Sequence, residues 1–148
     1  MKILMVCLGN ICRSPLAEGI LKNKTKNIDV FVDSAGTASY HVGNLPDSRS
    51  IEIANKNRID LTDQRARQFS EKDFDDFDKI YAMDTHNYTK IISLARNQSD
   101  RDKVDVILNE LNPKAFDSVP DPYYGEGDGF KTVFEMLERS CNTIVGKL

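Results

Sequence analysis

Eight residues near the start of the chain constrain its fold more than any other segment. The run Cys7-Leu8-Gly9-Asn10-Ile11-Cys12-Arg13-Ser14 stands between a short apolar segment, residues 3–6, and a segment that opens with Pro15. A strand that ends in a tight turn and enters a helix points several backbone N–H groups at one place, where an anion or a thiolate is favoured. Arg13 can grip two oxygens of that anion with its guanidinium group. The spacing therefore predicts an oxyanion-binding loop beside a nucleophilic sulfur.

The residue types within this octet favour the same geometry. Gly9 and Asn10 tolerate a left-handed backbone, and Ser14 followed by Pro15 is typical of a helix N-cap and first turn. A helix N-terminus and a neighbouring arginine favour the thiolate form of a cysteine. We therefore predict that Cys7 is a nucleophile. The alternative is an ordinary strand-to-helix turn with buried structural cysteines.

The rest of the chain alternates between strand and helix patterns. Leu16, Ala17 and Ile20 recur on one helical face, which predicts that the first helix packs against a sheet. The alternation is typical of an α/β fold, here a four-stranded parallel sheet with helices on both faces and ligands at the carboxyl ends of the strands. The predicted strands are residues 2–6, 30–32, 78–83 and 104–107, and the predicted helices are residues 15–26, 47–57, 85–95 and 130–145, with a short helix starting near Ser70.

Three connecting segments are predicted to be irregular. Residues 59–69 are expected to lack a helix, although a short strand there is an alternative. Residues 96–103 are polar and charged and are predicted to form a loop. Residues 112–129 are rich in proline and glycine, which also favours a loop.

Length, charge and composition restrict the class of protein. The 148 residues are 40% hydrophobic and 29% charged, so we expect one globular domain over residues 1–148. A net charge of −3 with scattered basic residues argues against a nucleic-acid partner. Because no long apolar run or signal-peptide pattern occurs, we expect a cytoplasmic protein with no membrane association.

The cysteines and histidines favour neither a disulfide framework nor a metal site. Of three cysteines, two lie in one loop, which favours a reducing compartment. Cys141, on the last predicted helix, is expected to be a core residue. His41 and His86 lack partners at metal-ligand spacing, so we expect surface or loop positions for them and predict no metal and no other cofactor.

Four motifs, in order along the chain, resemble those of the low molecular weight protein tyrosine phosphatases. They are residues 5–15, Asp33-Ser34-Ala35-Gly36-Thr37, Ala66-Arg67-Gln68 and Asp121-Pro122-Tyr123-Tyr124-Gly125. The resemblance covers most of the chain and implies a flavodoxin-like three-layer sandwich. It also implies hydrolysis of phosphotyrosine in proteins through a phosphocysteine intermediate, with inorganic phosphate as product. We expect a monomer or weak self-association.

The resemblance also implies roles for particular residues. Cys7 is expected to be the nucleophile, Arg13 the phosphate clamp, and Asp121 the general acid and then base. The prolines on either side of Asp121 favour an extended backbone from which its carboxylate can project. The other implied roles are phosphate binding (Leu8, Gly9, Asn10, Ile11, Cys12, Arg13 and Ser14), the walls of the substrate pocket (Leu8, Tyr40, Tyr123 and Tyr124) and support of the loop by hydrogen bonds (Asn10, Ser14 and Ser34).

Two positions leave alternatives open. Family members usually complete the supporting network with a histidine, whereas the aligned position here is Gln64, which can form hydrogen bonds but cannot carry charge. Cys12 lies across the loop from Cys7. It either forms a transient disulfide that shields Cys7 from irreversible oxidation or simply fills space.

Three other functions compete with phosphotyrosine hydrolysis. Arsenate reduction by relatives on the same fold needs two further thiols, whereas only Cys141 lies outside the loop. Phosphoarginine hydrolysis occurs in relatives that carry a threonine where this chain has Ile11, and the bulky apolar Ile11 favours phosphotyrosine. A non-catalytic phosphate-binding module would lack Cys7, Arg13 or Asp121, and all three are present.

Overall fold

Residues 1–125 and 127–148 are described by a computed structural model in which strands and helices alternate. None of the helices in these residues is long and apolar enough to cross a membrane. The strands are β1 (Lys2–Cys7), β2 (Phe31–Gly36), β3 (Lys79–Ala82) and β4 (Val104–Val106). The α-helices are α1 (Arg13–Lys24), α2 (Ser48–Lys56), α3 (Lys72–Asp76), α4 (Thr85–Ser93), α5 (Gln98–Asp102) and α6 (Gly129–Gly146), and a 3₁₀ helix (Ile107–Glu110) follows β4.

The strands form one parallel sheet in the order β2-β1-β3-β4. β1 pairs with β2 from Lys2 opposite Phe31 to Cys7 opposite Gly36, and its other edge pairs with β3. The chain passes from β1 to β2 on one side and then crosses to β3 on the other side. The connections therefore diverge at the carboxyl end of β1, which is where ligands bind in such sheets. The predicted flavodoxin-like architecture is confirmed, and Cys7 ends β1 at this position.

Side chains of β1 alternate between two separate apolar cores, which produces the three layers. Ile3 and Met5 pack on one face of the sheet in a core that includes residues of α1, α2 and α6. Leu4 and Val6 pack on the other face with Phe74 of α3 and with residues of α4. Because both faces of β1 are covered, its sequence is a continuous apolar run instead of an alternating one.

Helix α1 is more completely buried than its sequence predicts. The predicted apolar stripe contains Leu16, Ala17 and Ile20, whereas all of residues 13–21 are buried, including the charged Glu18. An apolar pattern detects one contact face. Helix α1, however, contacts β1, β2, α2 and α6, so polar side chains of the helix are enclosed as well.

The end of β2 differs from the prediction because tertiary contacts decide it. β2 (Phe31–Gly36) continues beyond the predicted residues 30–32 because its later residues pair with β1. Residues 59–69, all of them described, contain no strand, which agrees with the prediction of an irregular segment, and Gln68 forms an isolated bridge with Gly36. The bridge nevertheless brings this segment to the carboxyl end of β2.

The prediction of a loop over residues 96–103 is wrong, because a short helix, α5, lies there. The side chain of Asn97 caps α5 by accepting the backbone N–H of Asp100 at 2.9 Å. Arg96 forms an ion pair with the same aspartate at 2.8 Å. Polar residues that are common in loops here stabilise a helix terminus.

The caps predicted for two other helices are close to those observed. Asp47 caps α2 by accepting the backbone N–H of Arg49 at 2.9 Å, as its position predicts. Asp73 accepts the backbone N–H of Ser70 at 2.9 Å, and α3 begins two residues after Ser70. Local side-chain chemistry therefore determines where these helices start.

The second core depends on Phe74, whose side chain is fully buried and packs edge to face on Phe69 with ring centroids 5.3 Å apart. We expect Phe74→Ala to lower the free energy of unfolding by about 3–5 kcal/mol, because it leaves a cavity in a close-packed core. Urea denaturation followed by circular dichroism measures this loss. Phe31→Ala is the control, since Phe31 is 54% exposed and should cost far less. Equal losses for the two variants would contradict this description of the core.

Candidate active site

The loop after β1 turns around the sulfur of Cys7. Asn10 has a φ of 59°, in the left-handed region, and its backbone N–H lies 3.3 Å from Cys7 Sγ. The backbone N–H groups of Thr37 and Ala38 donate to the carbonyls of Cys7 and Leu8, each at 2.9 Å. The first residues of the loop are therefore fixed to the segment that follows β2.

Glycines allow the segments around this loop to approach closely. Among the octet residues, all of them described, only Asn10 uses the left-handed backbone that both Gly9 and Asn10 tolerate. At Gly9 a Cβ would lie 3.0 Å from His41 Cδ2, which is a tight contact with a side chain. At Gly36 a Cβ would lie only 2.7 Å from the Leu8 carbonyl oxygen. The loop can take its observed path only with a glycine at the end of β2.

Helix α1 begins two residues before the predicted position, at Arg13. The prediction that Ser14 is the N-cap is wrong, because Cys12 occupies that position without a side-chain hydrogen bond. The Ser14 hydroxyl instead lies 3.0 Å from Cys7 Sγ, within hydrogen-bond distance. Pro15 still lies in the first turn, where a missing N–H is harmless because these groups have no partner within the helix.

The side chain of Asn10 connects three segments of the chain. Its amide nitrogen donates to Ser14 Oγ at 2.9 Å and to Ser34 Oγ at 3.0 Å. Its amide oxygen accepts the backbone N–H of Arg67 at 3.0 Å. The structure therefore brings together the three residues expected to support the loop, and it adds the main chain of Arg67 to them.

A buried carboxylate, Glu18, ends this network. Its Oε1 accepts a hydrogen bond from Ser34 Oγ at 2.6 Å, and its Oε2 lies 2.5 Å from Lys22 Nζ. Burial raises the pKa of Glu18 above its usual value, and the hydrogen bonds from Lys22 and Ser34 oppose this rise. The Ser34 hydroxyl is held from both sides, since it accepts from Asn10 and donates to Glu18.

Gln64, aligned with the family histidine, forms no hydrogen bond to Asn10, Ser14 or Ser34 in the described residues. Its Nε2 donates to the Pro15 carbonyl at 3.1 Å. Its buried Oε1 has no hydrogen-bond partner among residues 1–125 and 127–148. The glutamine thus braces the first turn of α1, and the backbone of Arg67 supplies the hydrogen bond to Asn10.

The guanidinium group of Arg13 is buried beside two carboxylates. Its Nη1 donates to Asp84 Oδ2 at 2.6 Å and to the Val119 carbonyl at 3.0 Å, and its Nη2 lies 3.6 Å from Asp121 Oδ2. Burial alone would lower the pKa of Arg13, but the negative charge of an ionised Cys7 and the hydrogen bond to Asp84 raise the pKa overall. Arg13 therefore remains a cation near neutral pH.

A crevice of about 250 Å³ opens over Cys7. The Asp121 side chain lies at the edge of the crevice and is 35% exposed. Its Oδ1 accepts a hydrogen bond from the backbone N–H of Tyr123 at 3.0 Å. The structure thus brings the three predicted catalytic residues to one place. Tyr123 is 38% exposed and Tyr124 is 88% exposed, so Tyr124 stands at the rim. The walls include Leu8, Tyr40, His41, Tyr123 and Tyr124.

Arg49 joins one wall of the crevice to the start of α2. Its Nη2 donates to the Tyr123 carbonyl at 3.2 Å, and its guanidinium group lies 5.5 Å from the Tyr123 ring centroid and 4.6 Å from that of Phe130. Arg49 also forms an ion pair with Asp47 at 3.0 Å. The backbone N–H of Asp47 donates to the Ile11 carbonyl at 2.8 Å. This chain of contacts ties the Tyr123 wall to the octet loop.

All three cysteines are free thiols. Burial, together with the negative charges of Asp47 and Cys7, raises the pKa of Cys12 to about 12. Burial also raises the pKa of Cys141 to about 12. Cys141 belongs to the core shared by α1 and α6, as predicted. Both thiols are therefore protonated at neutral pH.

Two side chains at the crevice were not identified from the sequence. Asp84 lies two residues after the end of β3 and pairs with Arg13. The carboxyl ends of neighbouring parallel strands meet at one sheet edge, so its position after a strand was a usable signal. His41, expected only in a loop or on the surface, has its ring centroid 6.5 Å from that of Tyr40 and 6.4 Å from that of Tyr123. No local signal marks His41, because its turn is positioned by tertiary contacts.

Comparisons with known proteins identify the family of this chain. The family model described as low molecular weight phosphotyrosine protein phosphatase matches residues 2–148. A relative of that name from Schizosaccharomyces pombe is 42% identical over 141 residues, which cover 92% of this chain and 89% of the relative.

Solved structures share the fold over nearly their whole length. A protein tyrosine phosphatase from Entamoeba histolytica matches with a TM-score of 0.91 and 37% identity, covering 100% of this chain and 99% of the other. The arginine phosphatase of Drosophila also matches with a TM-score of 0.91, at 33% identity, covering 99% of this chain and 97% of the other. The chain therefore belongs to the low molecular weight phosphotyrosine protein phosphatase family and is an enzyme of the hydrolase class.

Proposed function

We propose that this protein hydrolyses phosphotyrosine in proteins through a phosphocysteine intermediate. Cys7 is the nucleophile, Arg13 is the phosphate clamp, and Asp121 is the general acid and then the base. The observation that carries the proposal is that these three side chains line one crevice at the carboxyl end of β1. Residues 1–148 act as a single domain in this reaction, which uses only side chains, backbone groups and water.

In the first step, Cys7 Sγ attacks phosphorus and the bond from phosphorus to the tyrosine oxygen breaks. The Asn10 N–H at 3.3 Å and the Ser14 hydroxyl at 3.0 Å lie within hydrogen-bond distance of the sulfur and hold it in position. Backbone N–H groups of the loop and the guanidinium group of Arg13 stabilise the charge on the three equatorial oxygens of the transition state.

Asp121 carries the proton in both steps. A phenol is a poor leaving group as an anion, so proton transfer from Asp121 to the departing oxygen lowers the barrier. The resulting carboxylate then takes a proton from the water molecule that attacks the phosphocysteine. This second step breaks the bond between phosphorus and sulfur, releases inorganic phosphate, and restores both the Cys7 thiolate and the protonated Asp121.

The walls of the crevice favour an aromatic substrate. Leu8, Tyr40 and Tyr123 line it with apolar and aromatic surface, which suits a flat phenyl ring. Arg49 supports this geometry, because it holds Tyr123 by a hydrogen bond and lies over its ring. We therefore infer that phosphotyrosine-containing proteins are the substrates. We also propose, from the family resemblance, that the protein acts as a monomer or a weakly self-associating one.

Phosphotyrosine is favoured over the alternative substrates by particular residues. The fold does not separate phosphotyrosine from phosphoarginine, since the Drosophila arginine phosphatase matches with the same TM-score as the Entamoeba tyrosine phosphatase. The apolar side chain of Ile11 lines the crevice and favours the aromatic substrate. Arsenate reduction is disfavoured because Cys141 is buried in the core, where it cannot pass a disulfide outward.

Cys7→Ser is expected to abolish turnover, because a serine hydroxyl is not ionised near neutral pH and is a far weaker nucleophile. Phosphate release from a phosphotyrosine peptide measures this loss, and an unchanged circular dichroism spectrum shows that the variant is folded. Substantial turnover by the folded variant would contradict the role of Cys7. Faster release of phosphate by the wild type from a matched phosphoarginine peptide would contradict the proposed substrate.

Asp121→Asn should slow the hydrolysis of aryl phosphates with poor leaving groups more than that of aryl phosphates with good ones. General acid catalysis contributes most where the departing oxygen is most basic. We expect a loss of about 10²- to 10⁴-fold in kcat/KM, which reports the step that releases the leaving group, with phenyl phosphate and a much smaller loss in kcat/KM with p-nitrophenyl phosphate. Asp117→Asn, which changes an exposed aspartate earlier in the same loop, is the matched control. Equal losses with both substrates would exclude Asp121 as the acid.

Gly36→Ala should displace the octet loop, because the new Cβ would lie 2.7 Å from the Leu8 carbonyl oxygen and 3.1 Å from the Asn10 nitrogen. We expect a loss of about 10- to 100-fold in kcat/KM, since small displacements of reacting groups are costly. Steady-state kinetics with p-nitrophenyl phosphate measure it. Gly146→Ala is the control, because a Cβ there meets no atom within 4 Å in the described residues. Unchanged kinetics for Gly36→Ala would show that this close approach is not required.

A further inference from the structure

A second and larger groove opens beside the crevice, and we call it the flank groove. Its volume is about 660 Å³, compared with about 250 Å³ for the crevice. One wall is formed by the segment that follows β2, and the other by one side of α4. Its lining includes Ala38, Ser39, Tyr40, His86, Thr89 and Lys90.

We propose that the flank groove binds the polypeptide segment next to the phosphotyrosine, and that His86 and Lys90 select substrates with acidic residues in this segment. The inference rests on the proposed function, because it requires a phosphotyrosine ring in the crevice. It adds a preference among phosphotyrosine proteins that the catalytic residues themselves do not provide.

The flank groove is continuous with the crevice. Leu8 and Tyr40 line both of them. A ring held against these two side chains leaves the main chain of its own residue at the mouth of the crevice. Because an extended chain advances by about 3.3 Å per residue, the next residues can enter the flank groove directly. The opposite side of the crevice is bounded by Tyr123, which Arg49 holds in place.

Polar groups along the flank groove suit an extended main chain. The hydroxyls of Thr89 and Ser93 donate to carbonyls within α4, at 2.9 Å and 2.6 Å. Their oxygens keep lone pairs for an incoming backbone N–H. Gln68 Nε2 donates to the Thr37 carbonyl at 3.3 Å, which positions this amide along the groove. The groove can therefore form hydrogen bonds that do not depend on the side chains of the bound segment.

The charge of the flank groove is opposite to that of the chain as a whole. The chain has 23 acidic and 20 basic residues and a net charge of −3. The described residues that line the groove nevertheless include His86 and Lys90 but no aspartate or glutamate. These two residues are four positions apart on α4 and therefore project from the same face of the helix. The nearby Asp84 carboxylate is already bound by Arg13 and by the Asn87 N–H.

The inference is tested by changing the charge of the peptide and the charge of the groove separately. Three phosphotyrosine peptides carry glutamate, glutamine or lysine at the two positions on each side of the phosphotyrosine and are otherwise identical. We expect the wild type to prefer the glutamate peptide over the glutamine peptide by about two- to fivefold in kcat/KM, which is the size of exposed ion-pair effects. Lys90→Glu should reverse this preference, so that the lysine peptide becomes the best substrate. The reversal should appear in the KM values for the peptides. The kinetics with p-nitrophenyl phosphate should be unchanged.

Lys79→Glu is the matched control, because it makes the same change of charge at an exposed residue of β3, away from the groove lining. It should leave the order of the three peptides as in the wild type. The inference would be overturned if Lys90→Glu and Lys79→Glu changed the order of the three peptides equally. It would also be overturned if the wild type hydrolysed p-nitrophenyl phosphate but showed no preference among the peptides. Neither result would affect the proposed function. A wild type that hydrolyses no aryl phosphate would instead overturn the proposed function.

Discussion

The side-chain amide of Asn10 makes the hydrogen bonds on which the geometry of the site depends. A left-handed backbone is unfavourable for a residue with a Cβ, although asparagine tolerates it better than most. Donation to Ser14 and Ser34 and acceptance from the Arg67 N–H hold Asn10 in this conformation. Asn10 is 3% exposed, so the loss of any one partner would leave a buried polar group unsatisfied, at a cost of about 1–3 kcal/mol. The conformation keeps the Asn10 N–H directed at the Cys7 sulfur.

The parallel sheet brings the partners of this loop together. Cys7 ends β1, Gly36 ends β2 and Asp84 follows β3, so three neighbouring strands each contribute a residue at the same edge. Burial of α1 extends the site inward, because the enclosed Glu18 anchors Ser34 behind the loop. The same carboxyl edge leads outward to α4, whose Lys90 lines the flank groove. Loop support, the crevice and the proposed specificity surface are therefore parts of one arrangement of strands.

Patterns within short segments predicted much of the fold and part of the site. The apolar run before Cys7 predicted β1, and the position of Asp47 predicted the cap of α2, because both depend on neighbours in sequence. The same reasoning placed the N-cap of α1 at Ser14, whereas the hydroxyl of Ser14 lies beside the sulfur of Cys7. A serine that can cap a helix can also bind another group. Only the path of the loop decides between these two uses.

The sequence by itself determined how the four strands and the longer helices alternate along the chain, the octet loop at the carboxyl end of a strand, and the candidate nucleophile Cys7. These properties follow from residue type and from spacing over a few positions. Only the tertiary structure decided that Asp84, 71 residues from Arg13, pairs with its guanidinium group, and that Lys90 shares a groove with Tyr40. Such pairs depend on which strands become neighbours in the sheet. Strand order is set by the burial of whole faces, and no local spacing encodes it.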